Sequence, residues 1–190
     1  MRLSVLLVIA IPMVVPLATA LGAAPVAHAD EPIPLYALVD AAAQRLLTAD
    51  PVAAFKWIDG GPIEDPARVR QVLDAVGADA RDRGVDAEFV RRAFENQIHA
   101  TEGVEYMRFG QWKLDPAAAP TTAPELSASR SAIDGFNRTI VTELALHWDS
   151  LAGPECAAQL ANAERAVVAD RGLEPLYEQA LDFATRSYCG

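Results

Sequence analysis

Lysine is rare in this chain, and one of its two lysines stands where a single positive charge could do chemistry. Only Lys56 and Lys113 among the 16 cationic residues are lysines. Lys56 lies within an apolar run, Pro51-Val-Ala-Ala-Phe-Lys-Trp57. An isolated ammonium among packing residues indicates a donor aimed at one atom, because a bidentate contact would favour arginine. The alternative is a lysine whose stem packs on its neighbours while its head reaches water.

The fourth predicted helix carries a stripe that changes from apolar to polar while keeping its phase. At about 100° per residue, Phe94 and Ile98 share this stripe with Thr101 and Glu105, which lie one turn apart. Such a stripe predicts the lining of a cavity. Gln97 lies on it as well, either facing the cavity or making a hydrogen bond inside the core.

Three arginines border the apolar faces of other predicted helices. Arg45 lies in the first helix, Arg68 in the third and Arg130 near the start of the fifth. Asp65, one turn before Arg68, either orients that guanidinium or caps the helix. Each arginine taken alone is also consistent with a boundary cation whose stem is packed.

Taken together, these side chains predict one pocket for a small ligand with several negative charges. Arginine binds carboxylates through two parallel hydrogen bonds, which leaves the lysine and the glutamate for the reacting centre. The sequence shows no nucleophile with its base, no glycine-rich phosphate loop and no metal-ligand set. We therefore expect no cofactor and no metal, and a pocket that works by positioning and electrostatics. The residues predicted to converge are Arg45, Lys56, Arg68, Thr101, Glu105 and Arg130.

The elements that must position these residues are all predicted to be helices. Apolar residues recur at helical spacing after the first 30 residues or so, with no sustained two-residue alternation. We expect an all-α fold, a single-domain bundle of about six or seven helices without a sheet, over residues 30–190. The predicted helices cover 35–48, 51–58, 65–83, 86–111, 127–151, 154–169 and 174–188.

Proline, glycine and aspartate mark the ends of these helices. Asp50-Pro51 and Asp65-Pro66 are each typical of an N-cap followed by a first-turn proline. Gly84 and Gly172 are typical of helix ends. The one long connection, 115–125, is rich in Pro, Ala and Thr, and we expect it to cross the surface within a single domain.

The N-terminus has the features of a secretory signal. Arg2 is followed by an apolar stretch to about Leu21, and an Ala-His-Ala cleavage site ends at Ala29. We expect residues 1–29 to be a cleaved signal peptide, and the protein to be secreted or periplasmic with no membrane contact after cleavage. Cleavage removes one cation and no acid, so the mature charge is one unit more negative than the −10 of the full chain. Nucleic acid is not an expected partner of so acidic a protein.

The two cysteines, Cys156 and Cys189, are predicted to pair. An exported protein meets an oxidising compartment, in which two thiols can form a disulfide; two buried free thiols are the alternative. The bridge would close a loop of about 33 residues and contribute roughly 3–4 kcal/mol by loop-closure entropy. A zinc site is not expected, because the cysteines are far apart and His99 and His147 follow no ligand spacing.

The order of these residues resembles the secreted subclass of the all-helical chorismate mutases. The resemblance covers nearly all of the chain after residue 29 and depends on many short motifs in register. The motifs are Ala49-Asp-Pro-Val-Ala-Ala-Phe-Lys-Trp57, Pro62-Ile-Glu-Asp65, Gln97-Ile, Ala100-Thr-Glu102, Val104-Glu-Tyr106, Trp112-Lys-Leu114, Leu126-Ser-Ala-Ser-Arg-Ser-Ala-Ile-Asp134, Cys156-Ala-Ala-Gln-Leu160 and Ser187-Tyr-Cys189.

The resemblance implies catalytic roles for Lys56, Glu105 and Arg130. The family rearranges chorismate to prephenate, breaking an ether C–O bond as a C–C bond forms, without a cofactor or a covalent intermediate. Negative charge grows on the ether oxygen, and Lys56 matches the family's lysine that would be aimed at it. Glu105 is its expected partner and must be protonated, or act through water, to contact that oxygen. Arg130 would hold a carboxylate in the reactive conformer.

The same resemblance assigns substrate binding to five residues. They are Arg45, Arg68, Thr101, Asp65 and Val72. A substrate with two carboxylates explains several arginines in an acidic protein. The family leads us to expect a polar residue, commonly glutamine, one turn after Arg68, where this chain has Val72. The substrate ring hydroxyl therefore either loses a contact or is held by Asp65 or a water.

The resemblance also implies a homodimer in which each pocket is built within one chain, acting in the shikimate pathway of aromatic amino acid biosynthesis. The alternative from the residues alone is an exported helical binding protein that holds an anionic small molecule without turning it over. The two interpretations diverge at Lys56 and Glu105. A pocket that only binds anions gains nothing from a glutamate, whereas a reaction that builds charge on an ether oxygen can use a protonated one.

Overall fold

Helices form nearly all of the regular structure in residues 32–189, the part of the chain that the computed structural model describes. Eight α-helices and one 3₁₀ turn occur in this range and no strand does, which confirms the predicted all-α class. The predicted signal peptide, 1–29, lies outside the described residues. The helices are α1 (Tyr36–Leu46), α2 (Ala49–Asp59), α3 (Pro66–Asp82), α4 (Ala87–Leu114), α5 (Leu126–Leu146), α6 (Trp148–Leu151), α7 (Cys156–Arg171) and α8 (Pro175–Thr185), with the 3₁₀ turn at Pro116–Ala118.

Aspartate side chains start the two helices that carry much of the cavity. Asp65 accepts the backbone N–H of Arg68 at 3.0 Å, and Pro66 is the first residue of α3, as predicted. Asp86 likewise accepts the backbone N–H of Glu88 at 2.8 Å at the start of α4. These bonds satisfy N–H groups that have no partner within the helix, so both helices begin at fixed positions.

The predicted cap at Asp50 is wrong. Helix α2 begins at Ala49, and Asp50 lies in its first turn. The Asp50 carboxylate binds Arg108 of α4 through both oxygens, with Nε to Oδ1 at 2.6 Å and Nη2 to Oδ2 at 3.3 Å. Because that carboxylate is engaged by a guanidinium, it joins two helices rather than capping one.

The fifth predicted helix extends past the end that the structure shows. The fifth ends at Leu146 rather than at residue 151, because the chain turns at His147 and restarts as the short α6. This turn brings Trp148 edge-on against Phe89 of α4, with ring centroids 5.1 Å apart. The predicted ends at Gly84 and Gly172 are confirmed, since both follow a helix with φ near +73° and +59°.

The C-terminal segment leaves the helical path before the predicted end at residue 188. Helix α8 stops at Thr185, and the following turn carries Cys189 to Cys156 at the start of α7. The two Cα atoms are 5.7 Å apart and the sulfurs are bonded. The predicted disulfide is confirmed.

Helix α1 lies at the centre of the bundle. It packs against α4, α5, α7 and α8, while the long α4 also runs beside α2 and α3. Fully buried side chains such as Leu38, Phe94, Ile140 and Leu181 join these helices into one core. The described residues form one compact unit from Pro32 onward, and none of their helices is long and apolar enough to cross a bilayer.

Candidate active site

One cavity between helices α1 to α5 collects the residues that the sequence singled out. Its walls are apolar, and its polar groups come from five different helices or their caps. The lining includes every residue predicted to bind or react with substrate, namely Arg45, Lys56, Asp65, Arg68, Val72, Thr101, Glu105 and Arg130.

The Lys56 ammonium lies inside this cavity and contacts Glu105. Its Nζ donates to Glu105 Oε2 at 2.8 Å and to the backbone carbonyl of Ile63 at 2.5 Å. The two side chains are only 17% and 3% exposed. An ammonium has three N–H donors, so two hold Lys56 in place and one remains for a ligand.

Burial changes the protonation of Glu105. Removal from water raises the pKa of this carboxyl to about 7, and the positive charge of Lys56 opposes the rise. The neighbouring Glu102 adds a smaller upward effect. Both protonation states of Glu105 are therefore populated near neutral pH, and only the protonated state can donate a hydrogen bond.

Arg45 is buried, 4% exposed, and held on three sides. Its Nε donates to Asn137 Oδ1 at 2.9 Å, and its Nη1 donates to the Gln97 carbonyl at 3.2 Å and to Thr101 Oγ1 at 3.1 Å. Burial lowers the pKa of Arg45 to about 10, which leaves it positively charged at neutral pH. Within residues 32–189 its Nη2 has no hydrogen-bond partner, so this nitrogen is available to an anion in the cavity.

Two further arginines lie toward the opening and are held by aspartates. Arg68 Nη2 donates to Asp134 Oδ1 at 2.5 Å, and Arg130 Nη2 donates to Asp65 Oδ2 at 3.3 Å. The Arg130 side chain is 45% exposed. Asp65 caps α3 through its other oxygen, so it acts as a cap and as a partner of Arg130, rather than as a partner of the Arg68 guanidinium.

The sequence reasoning missed several groups that complete the cavity. Asp134 holds Arg68 and Asn137 holds Arg45, although their spacing from Arg130 along one face of a helix is a signal that could have found them. Glu102 lines the cavity next to Thr101 in the chain. The Ile63 carbonyl, which fixes Lys56, carries no signal in the sequence because any residue has one.

The structure shows the surroundings of Gln97 and Val72. Gln97 is fully buried and its Nε2 donates to the Tyr188 hydroxyl at 3.3 Å, so its side chain belongs to the core and not to the cavity. Val72 lines the wall beside Val69 and offers no polar atom there from its side chain.

Comparison with known proteins decides the family. Residues 36–106 match the family described as chorismate mutase type II. A secreted chorismate mutase of Mycobacterium tuberculosis is 53% identical over 165 residues, which cover 87% of this chain and 83% of that protein. This chain belongs to the chorismate mutase family. A second secreted chorismate mutase, from Mycolicibacterium smegmatis, is 54% identical over 87% of this chain and 91% of its own length.

Solved chorismate mutases share the fold. The crystal structure of chorismate mutase from Burkholderia phymatum superposes with a TM-score of 0.78 and 30% identity, covering 82% of this chain and 96% of the other. The predicted family and helical architecture are thus confirmed. Export is confirmed as well, because both close relatives are secreted enzymes.

Proposed function

We propose that this chorismate mutase converts chorismate to prephenate by holding the substrate in its reactive conformer and stabilising charge on the ether oxygen. The observation that carries the proposal is the Lys56–Glu105 contact of 2.8 Å, buried in a cavity that also contains three arginines. A cavity of this composition suits a small dicarboxylate that reacts at a polar but uncharged oxygen.

Lys56 is the proposed donor to the ether oxygen. As the C–O bond stretches, negative charge grows on that oxygen, so a fixed ammonium binds the transition state more tightly than the substrate. Two of its N–H groups are held by Ile63 and Glu105, which orients the third. Because the donor is mostly excluded from water, its electrostatic effect exceeds that of the same contact in solvent.

Glu105 is the proposed second donor when it is protonated. With a pKa raised to about 7 by burial, a useful fraction of the carboxyl carries a proton at neutral pH. The protonated carboxyl can donate to the ether oxygen while its other oxygen accepts from Lys56. A buried glutamate among arginines also favours catalysis over simple anion binding, since it repels an anionic ligand when ionised.

The arginines are the proposed carboxylate sites. Arg45 lies deep in the cavity with Nη2 free of protein partners in the described residues, whereas Arg130 lies near the solvent. Two anion sites at different depths would fix both substrate carboxylates and so hold the two reacting carbons together. Arg68, which also lines the cavity, would exchange part of its contact with Asp134 for the substrate.

The remaining cavity residues are proposed to set orientation and affinity. Thr101 accepts from Arg45 and donates to the Gln97 carbonyl at 2.8 Å, which fixes the guanidinium. Val72 gives the wall an apolar surface where a family glutamine is expected. We propose that Asp65 or a water replaces this contact to the ring hydroxyl.

The proposal includes the wider setting of the enzyme. The signal peptide is cleaved after Ala29, and the mature enzyme is a homodimer without membrane contact. It acts in the shikimate pathway of aromatic amino acid biosynthesis. Large exposed apolar residues on α4, Tyr106, Met107 and Leu114, support association with a second copy. Light scattering of the exported protein measures the mass of the assembly.

The test is conversion of chorismate by the exported, disulfide-bonded protein in the presence of a metal chelator and without added cofactor. We expect chorismate to disappear as prephenate accumulates. Calorimetric titration at a temperature where turnover is slow gives chorismate affinity independently. Tight binding without conversion would contradict the proposal and favour the anion-binding alternative.

A further inference from the structure

The C-terminal segment after α8 packs back onto α4 beside the residues that hold Arg45. Asn96 Nδ2 donates to Ser187 Oγ at 2.9 Å, and Gln97 Nε2 donates to the Tyr188 hydroxyl at 3.3 Å. Two successive residues of α4 thus bind two successive residues of the segment.

The position of Tyr188 is fixed by burial, by the end of α8 and by the neighbouring disulfide. Its side chain is fully buried, its backbone N–H donates to the Thr185 carbonyl at 2.8 Å, and the next residue, Cys189, is bonded to Cys156. Cys156 is itself buried at the start of α7. The ring is therefore held between a helix end and a covalent tether.

Gln97 joins this segment to the cavity. Its backbone carbonyl accepts from Arg45 Nη1 at 3.2 Å and from the Thr101 hydroxyl at 2.8 Å, while its side chain reaches Tyr188. A shift of this turn would move Arg45 and Thr101 together. The C-terminal segment thus contacts Gln97, and Gln97 in turn contacts the cavity residues Arg45 and Thr101. The segment itself does not line the cavity.

The polar character of the Gln97–Tyr188 pair has no evident benefit for stability. Gln97 Oε1 is buried without a hydrogen-bond partner in the described residues, which costs free energy. Apolar side chains of similar size would fill the same space without an unpaired acceptor. Because the same Gln97 residue also accepts from Arg45 through its backbone carbonyl, the polar pair points to a role in placing the Gln97 turn.

We propose that Tyr188 is a positioning residue, which acts through Gln97 to hold Arg45 where it binds a substrate carboxylate. The proposal rests on the proposed function, since it needs Arg45 to contact the substrate. Loss of the hydroxyl loosens the Gln97 turn, so the carboxylate is bound less tightly in ground state and transition state alike. The Michaelis constant then rises while the turnover number is nearly kept.

The Tyr188 hydroxyl keeps its proton where it meets Gln97. Burial raises the pKa of Tyr188, so the hydroxyl stays neutral throughout the working range of pH and its hydrogen bond to Gln97 does not depend on pH there.

The decisive variant is Tyr188→Phe, which removes one hydroxyl and keeps the ring and the disulfide. We expect KM for chorismate to rise about three- to tenfold and kcat to change by less than about twofold. Tyr177→Phe is the matched control, because Tyr177 is also buried near the C-terminus but lies outside the cavity and contacts Arg108 through its ring. We expect it to keep the wild-type KM.

A second variant approaches the same link from the other side. Gln97→Leu keeps the backbone carbonyl and removes the amide, so its KM should rise as in Tyr188→Phe, and the double variant should be no worse than either single one. In an Arg45→Lys background, Tyr188→Phe should have no further effect on KM. A merely structural role would instead give the same additional loss in both backgrounds.

The outcomes separate this proposal from the proposed function. If the wild type converts chorismate but folded Tyr188→Phe has the wild-type KM, the positioning role alone is overturned. Full additivity with Arg45→Lys would overturn it too. A wild-type protein that fails to convert chorismate overturns the proposed function, and the positioning role falls with it.

Discussion

At the scale of single residues, the proposed chemistry depends on a carboxyl, that of Glu105, whose pKa lies far from that of an exposed glutamate. Burial beside Lys56 brings the Glu105 pKa to about 7, so the reaction can use this group either as a hydrogen-bond donor or as an anion that orients the ammonium. These two roles predict opposite responses to pH, because protonation is needed for the first and abolishes the second.

The pH profile of Glu105→Gln tests the donor role. Since the raised pKa belongs to the productive protonated form, activity of the wild type should be highest below about 7 and fall as the pH rises through that value. Glutamine donates at every pH, so the variant should keep measurable activity and lose most of this decline. Steady-state rates between pH 5 and 9 check this, and an identical decline in the variant would refute the assignment.

Replacing Val72 by a polar residue should strengthen substrate binding. Val72→Gln places an amide on the apolar wall of the cavity, where the family resemblance leads us to expect a polar contact with the substrate. We expect KM to fall by about two- to tenfold, the effect of one added hydrogen bond of roughly 0.5–1.5 kcal/mol, with kcat unchanged. Val69→Gln, on the same helix and also lining the cavity, is the comparison variant. A KM of Val72→Gln equal to or above that of the wild type would show that the ring hydroxyl of the substrate already has another hydrogen-bond partner.

Most cavity residues could be predicted from their types, but which guanidinium each supporting side chain binds could not. A lysine in an apolar run and a threonine–glutamate pair in phase with core residues mark a polar site on a buried face. The contacts of Asp134 and Asn137 depend on how α5 is rotated against α1 and α3. That rotation is set by packing of the whole bundle, which local spacing does not determine.

At the scale of helices, α2 and α4 must stay in register for Lys56 to meet Glu105. The Asp50–Arg108 pair joins the same two helices about a turn away along α4, and Arg108 also contacts Glu174 before α8. One guanidinium therefore links three elements. Because Arg108 lies outside the cavity lining, its role is in alignment rather than in binding.

Arg108→Ala tests this alignment. We expect the free energy of unfolding to fall by about 1–2 kcal/mol, more than for an isolated surface pair, because two carboxylates lose their partner. The rate should fall through kcat as the Lys56–Glu105 contact loosens. Arg171→Ala removes a comparable pair with Asp40 between α7 and α1 and serves as the control. Equal losses of rate in both variants would contradict a specific link to the site.

Helix existence was predicted better than helix ends. Helical periodicity extends along the full length of each element, so all seven predicted helices are present. The misplaced ends have tertiary causes. Asp50 binds Arg108 instead of capping α2, the chain breaks at His147 so that Trp148 meets Phe89, and α8 ends early as the chain turns toward the disulfide.

At the scale of the whole molecule, the disulfide closes a loop at the C-terminal end of the chain. It joins the start of α7 to the segment after α8 across 33 residues of sequence. Export predicted this bond, since the compartment is oxidising and no other cysteine competes. An acidic exported protein that binds a dianion must also gather its cations locally, as the cavity does.

Removal of the disulfide should lower global stability. We expect Cys156→Ser/Cys189→Ser to reduce the free energy of unfolding by about 3–4 kcal/mol, because the unfolded chain regains the entropy of an open loop of about 33 residues. Urea denaturation of the oxidised protein, the reduced protein and the double variant measures this. Identical midpoints for all three would show that the bridge does not restrict the unfolded state.

The measurement that tests the central claim most directly is the turnover number of Lys56→Ala beside Lys113→Ala. The chain has only these two lysines, and Lys113 is exposed at the end of α4. If Lys56 stabilises charge on the ether oxygen, kcat should fall by at least about 100-fold in Lys56→Ala and stay at the wild-type value in Lys113→Ala. A folded Lys56→Ala enzyme with a higher KM and an unchanged kcat would contradict the account, since Lys56 would then only bind substrate.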